Sequence, residues 1–215
     1  MATPLQYSEL NIKTSLAVFL ATQLIGQGYL VYWHRTDVLQ TGTSSTDWWY
    51  QYSANRPTYQ GNGTYAAKVA AAKGLVTMVD GIPAEPRFVT RLITDSSVGP
   101  ADEVPVPAVS VELSGELPQD PYELGSTVMW RKRHLLLDIY VRDAFEQGKF
   151  KDWLAVWLQT DAAIAVAEYD TGSATPSIIG SVDVQQLRID SARFVQGAQA
   201  LTYQVMVNAF VSYVA

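Results

Sequence analysis

The residue pattern predicts an α+β fold: a mainly antiparallel β-sheet with two helices packed on one face. Three observations lead there. Two segments, one near the start and one beginning at Phe145, carry apolar residues at three- and four-residue spacing. Most other regular segments are aromatic and β-branched, or alternate apolar and polar residues with a period of two. The order is helix, several strands, helix, paired strands; without strict strand–helix alternation, a doubly wound parallel sheet is disfavoured. With 215 residues, 48% of them hydrophobic, the chain has enough apolar surface for one α+β domain spanning residues 1–215.

The first helix is expected from about Ser8 to Gly28. Ser8 suits an N-cap, and the charge of Glu9 suits the helix N-terminus. Ile12, Leu16, Phe19, Leu20 and Leu24 form one wide apolar stripe, and Gly26 with Gly28 supplies the stop. Tyr29 to His34 (YLVYWH) has strand composition. From about Thr36 to Gly63 the chain turns rich in Gly, Ser, Thr and Asn while carrying Trp48, Trp49, Tyr50, Tyr52 and Tyr59. A connection at about 36–63 is far longer than the usual two to six residues, and a merely solvated linker has no use for large aromatics. It is expected to be an inserted loop that packs on its own domain or on a neighbouring subunit.

Tyr65 to Lys73 is an Ala-rich helix candidate ended by Gly74. Strands are expected at Leu75–Asp80, at Phe88–Thr94 beyond a Pro83/Pro86 turn, and at Val106–Leu113, where Pro105 and Pro107 favour a sheet edge or a strand entry. An acidic connector (SGELPQDPYELGS) leads to the longest strand, about Val128 to Arg142. Its Leu135, Leu137, Ile139 and Val141 make a clean apolar face, and His134, Leu136, Asp138, Tyr140 and Arg142 a mixed one. Phe145 to Thr160 reads as the second main helix, with Phe150, Trp153, Leu154, Trp157 and Leu158 as its stripe. A short segment, Ala162–Tyr169, precedes a Gly/Ser/Thr/Pro turn, and strands at about Gly180–Asp190 and Leu201–Val214 close the chain.

Composition excludes whole classes of chemistry. The absence of cysteine rules out disulfides, thiolate metal sites and cysteine nucleophiles, and makes a reducing cytosol the simplest place to fold. A net charge of −6 lacks the footprint of a protein that grips duplex phosphates. The most apolar early stretch, Leu16 to Ile25, is about ten residues against the roughly 20 of a membrane span, and the polar start lacks the pattern of a secretory signal. No dinucleotide, P-loop or nucleophile-elbow motif occurs, and no cofactor, metal or catalytic residue is expected. His34 near Asp37 has the makings of a general base, but the spacing equally suits a strand-end histidine, and His134 is expected at the surface. Glu112, Glu116, Asp120 and Glu123 lack the spacing of a calcium loop.

One cationic cluster stands out, Arg131–Lys132–Arg133. On an extended strand Arg131 and Arg133 share a face and Lys132 points the other way. The pair suits a contact with DNA or with an acidic neighbour, such as the Glu116–Glu123 connector of another subunit. It equally suits a charged edge that discourages strand aggregation. The candidate interface residues are therefore Trp48, Trp49, Tyr50 and Tyr52, then Arg131 and Arg133.

The N-terminal helix, the strand–helix run RHLLLDIYVRDAFEQGKFKDWLAVWLQ and the closing pair VDVQQLRID … ALTYQVMVNAFVSYV together resemble the tail terminator, or tail completion, proteins of tailed bacteriophages and related neck proteins. The resemblance spans about residues 7–35 and 75–214, leaves out the aromatic insertion, and rests on element order and strand texture. It implies a tail-terminator-like α+β subunit without enzymatic activity. Such a subunit forms a homo-oligomeric ring, commonly a hexamer, in the virion tail or neck after assembly in the host cytoplasm. The implied partners are the tail tube protein, a sheath where there is one, and head-side connector proteins, with DNA passing through the lumen without specific binding and no membrane involved. Other readings are a different phage assembly module, capsid-associated or tube- or sheath-binding, and an enzyme of unknown type using His34.

Overall fold

In a computed structural model of the chain, which describes residues 9–35, 75–80, 87–89, 103–116, 120–121, 129–159, 163–168, 177–196 and 200–214, the expected α+β architecture is present. Helix α1 (Glu9–Gly26) buries Ile12, Leu16, Leu20 and Leu24 as the stripe requires, with Ala17 and Ala21 beside them. Phe19, expected in the stripe, packs only partly against the core. The helix stops where the backbone turns left-handed at Gly28 (φ 88°): the Tyr29 N–H donates to the Leu24 carbonyl (3.2 Å) and the Gly28 N–H to the Ile25 carbonyl (2.8 Å). This pair of bonds satisfies carbonyls that the helix leaves over, and a glycine accepts the required φ without strain.

The strands are β1 (Leu30–Arg35), β2 (Leu75–Asp80), β3 (Arg87–Val89), β4 (Glu103–Pro105), β5 (Ala108–Glu116), β6 (Asp120–Pro121) and β7 (Met129–Val141). After them come α2 (Ala144–Gln159), β8 (Ile164–Ala167), β9 (Ile178–Gln196) and β10 (Ala200–Val214). The main sheet has the order β1-β2-β5-β7-β10-β9-β8, with β6 added beside β7. From β5 onward every neighbouring pair is antiparallel; β1–β2 and β2–β5 are parallel, as is the separate β3–β4 pair. The parallel pairs fall where the intervening chain is long enough for the crossover that parallel pairing demands. The Ala-rich helix expected at 65–73 and the insertion at 36–63 lie outside the described residues, as does most of the strand expected at Phe88–Thr94.

Both helices cover the same face. Leu135, Leu137, Ile139 and Val141 of β7 and Val205, Val207, Ala209 and Val211 of β10 join Phe150, Leu154 and Leu158 of α2 and the α1 stripe in one buried cluster. Trp153 and Trp157 pack at its margin, stacked on each other at 5.5 Å between ring centroids, with Tyr29 edge-on to Trp153. Helix α1 touches β1, β2 and β5 at one end of the strand order and β8 at the other. The sheet therefore curls around it. Buried Ser15 marks the seam: its hydroxyl accepts the Ala167 backbone N–H of β8 (3.0 Å), satisfying a polar group inside the core.

Pro107 stands at the entry to β5, one of the two placements its sequence favours; β5 pairs with β2 over Ala108–Ser110 and with β7 along its length. One strand boundary is corrected. Strand β9 continues past Asp190 to Gln196, because Ser191–Gln196 pairs with Ala200–Val205 of β10. Its period-two pattern slips at a bulge opposite Asn208 and Phe210, where Gln186 takes φ 53°; Val182 and Val184 before it, and Leu187 and Ile189 after it, all reach the core.

Candidate functional site

Strand β7 carries the residues that the sequence singles out, and α2 follows it within three residues. The turn between them is locked by its own side chains. Asp143 Oδ1 accepts the Glu146 backbone N–H (2.8 Å), the bond of an N-cap residue to the third helical position. Glu146, buried, accepts from the Arg142 backbone N–H (3.0 Å) and from its guanidinium, Nε at 3.0 Å and Nη2 as well. Those hydrogen bonds raise the Arg142 pKa further, outweighing the opposing effect of burial. One end of β7 is thereby fixed to the start of α2, whose Gln147 amide donates to the carbonyls of Ala192 and Gln204, both at 2.7 Å.

At the other end of β7, Arg131 and Arg133 lie on the helix-covered face, as their odd numbers require. Arg133 is held within its own chain: Nε donates to the Tyr213 hydroxyl (3.2 Å) and Nη1 pairs with Glu9 Oε2 (3.1 Å) at the start of α1. With its side chain only 18% exposed, it ties β7, β10 and α1 together. The charged-edge reading of this cluster is corrected, because β7 lies between β5 and β10. Glu116, placed by the sequence in an acidic connector facing another subunit, lies opposite Arg133 in the β5–β7 register of the same chain, just past Gly115 (φ 57°).

The second face of β7 holds a polar and aromatic row. Asp138 accepts a hydrogen bond from the Gln204 side-chain amide (2.7 Å) on β10. Burial raises the Asp138 pKa, the Gln204 bond opposes the rise, and the charge of Glu112 on β5 adds to it. Burial, then Asp138 and Glu112, push the Tyr140 phenol up to about 12. His134 is half-buried on this face, with Nδ1 3.4 Å from the Ser114 hydroxyl and its ring 5.3 Å from that of Phe210. At 3.4 Å the Ser–His contact is too long for the short bond that activates a hydroxyl, and the ring is packed as a sheet-face side chain.

His34 falls in β1 and its expected partner Asp37 lies outside the described residues, as do Trp48, Trp49, Tyr50, Tyr52, Glu123 and Lys73. Among the described residues no group of three or more His, Asp or Glu side chains has the arrangement to hold a metal ion. A small apolar gap between the helices, walled by Leu24, Phe150, Leu154 and Trp157 among others, has an empty volume of about 190 Å³, solvent included. That is below the roughly 300–1,000 Å³ of small-molecule sites, and it holds no polar group to orient a ligand.

The sequence missed Glu146, Gln147 and Ser15 as organising side chains. Asp143 three residues before Glu146 was the available signal for the first, since that spacing marks a helix start. No family model matches the chain, and no curated protein does.

Proposed function

We propose that this chain is a virion structural protein, a ring-forming tail terminator or neck component that caps a tail tube and joins it to the head-side connector. The observation that carries the reading is the path from β7 through α2 into the β9–β10 pair on a curled α+β sheet. It follows the element order on which the resemblance to phage tail terminators rests. Such a subunit works through surfaces. Its strands supply a stiff wall, and loops and strand edges supply the heterologous contacts that close a ring. The aromatic residues Trp48, Trp49, Tyr50 and Tyr52 have the composition of interface anchors. A chain of net charge −6 suits a channel wall that DNA slides past without being gripped.

The test is electron microscopy of the purified chain, alone and with tube and connector proteins. Class averages with rotational symmetry are expected. A strictly monomeric chain at high concentration, without affinity for tube or neck proteins, overturns the proposal. Replacing Trp48 and Trp49 by Ala is expected to weaken assembly while the thermal unfolding of the dissociated chain is unchanged. Loss of folding in that double variant assigns the insertion to the subunit's own core.

A further inference from the structure

Strand β9 runs from Ile178 to Gln196, but β8 pairs with it only from Ile178 to Val182. Strand β10 pairs with it from Asp183 to Gln196, so that stretch has one described partner strand. Among the described residues, then, no strand stands on the outer side of β9 from Asp183 to Gln196, and alternate backbone N–H and C=O groups there point away from the sheet. We propose that this edge receives a strand from a second copy of the chain. Unsatisfied edge groups are a template for strand addition.

Side chains along the edge favour a copy of this chain over another partner. On the helix-covered face, Val184, Leu187 and Ile189 are only partly buried, so an incoming strand with apolar residues on that face extends the existing core layer. Charge points the same way. The whole chain carries −6 and two copies repel in general, yet the segment 183–196 holds Asp183 and Asp190 against Arg188 and Arg193 and is neutral. A strongly basic or acidic partner gains nothing from such an edge, whereas an acidic chain meets its own copy there at least electrostatic cost. Arg188 and Asp190 pair with each other at 2.7 Å along the strand, leaving no net charge to repel an incoming backbone. The Gln147 bond to Ala192 holds this part of β9 to α2, so the edge is pre-formed.

This inference rests on the proposed self-assembly of the chain. The experiment is hydrogen exchange of the full chain read by mass spectrometry over a dilution series, with particle mass and symmetry followed on the same samples. Amides within 183–196 are expected to gain about tenfold or more protection as the assembled species grows, while amides of 135–141 in β7 stay protected throughout. The double variant Ser191→Glu, Arg193→Glu, at two exposed positions, makes the edge acidic. It is expected to raise the concentration needed for assembly about tenfold or more, with unchanged thermal unfolding of the dissociated chain. Rings whose β9 amides exchange as fast as in the dissociated chain overturn the edge inference and leave the ring reading standing. Protected β9 amides in particles without ring symmetry do the reverse. A chain that stays monomeric at the highest concentration, with fast β9 exchange, overturns both.

Discussion

The two faces of β7 differ in kind although they belong to the same thirteen residues. On one, Leu135, Leu137, Ile139 and Val141 are at most 1% exposed under two helices and belong to one buried hydrophobic cluster. On the other, Leu136, Asp138 and Tyr140 are half-buried, and Asp138 keeps its carboxyl beside Glu112 and Gln204. The first face stabilises by excluding water. The second holds ionisable groups that are partly desolvated, which costs stability whenever they are charged. The difference teaches that a strand's strict period of two lets one segment serve as core and, one residue away, carry groups that respond to pH.

The largest expected contrast is between adjacent leucines. Leu137→Ala is expected to cost about 3 kcal/mol, because the cavity it leaves is sealed by packed neighbours, whereas Leu136→Ala costs roughly 1 kcal/mol. Urea unfolding of the two variants measures this; equal losses would show that the second face is also a core. Next comes the junction that orients α2 against the covered face. Glu146→Ala is expected to lose about 1–2 kcal/mol by thermal unfolding, since it removes the acceptor for the Arg142 backbone and side chain at once.

At the polar end of the covered face, Arg133→Ala is expected to lose about 1 kcal/mol or less. Its Glu9 partner is 57% exposed, so solvent screens the ion pair and the Tyr213 bond carries most of the effect. A loss of several kcal/mol, or a loss of assembly without a loss of stability, would each redraw the role of this residue.

The smallest effect is on the second face. The folded-state pKa of Asp138 lies above its ordinary value of 3.8, so its contribution to stability is fully present below that value and is lost as pH rises through the folded pKa. Asp138→Asn, which keeps an oxygen for Gln204, is expected to stabilise the protein slightly at pH 7, since solvent screens a half-exposed carboxylate, with the gain vanishing at acid pH. A destabilised variant at pH 7 would mean that the charge is needed there. Tyr140 has the same sign at the alkaline end: with a folded pKa of about 12 against 10.0, its share of stability is lost between those values, and Tyr140→Phe should flatten the decline.

Periodicity made the covered face legible. The stripe of α2, the apolar face of β7 and the alternation of β10 are local patterns, each set by one element's geometry, and they hold in the fold. The tryptophans at the helix margin follow the same pattern, because their spacing on α2 brings Trp153 and Trp157 one turn apart. Less legible was everything that needs a partner distant in sequence. Nothing local about Arg133 says that Glu9 stands in front of it, 124 positions earlier, and nothing about Ser15 says that it meets Ala167. The β9 boundary has a related cause: only the register with β10 carries the strand past Asp190 to Gln196.

By itself the sequence determined the class of this protein: two amphipathic helices, a β-rich remainder, no sulfur chemistry, and an acidic chain with unusual aromatic content between residues 36 and 63. These follow from side-chain size, polarity and spacing, which act within one or two turns of helix or along one strand. Tertiary structure decided the strand order, the parallel pairs at one end, the curl around α1, the turning inward of Arg133 and the stretch of β9 that pairs, among the described residues, with β10 alone. Each depends on which segments meet across the sheet, and that is settled by the packing of whole layers rather than by any residue's own preference.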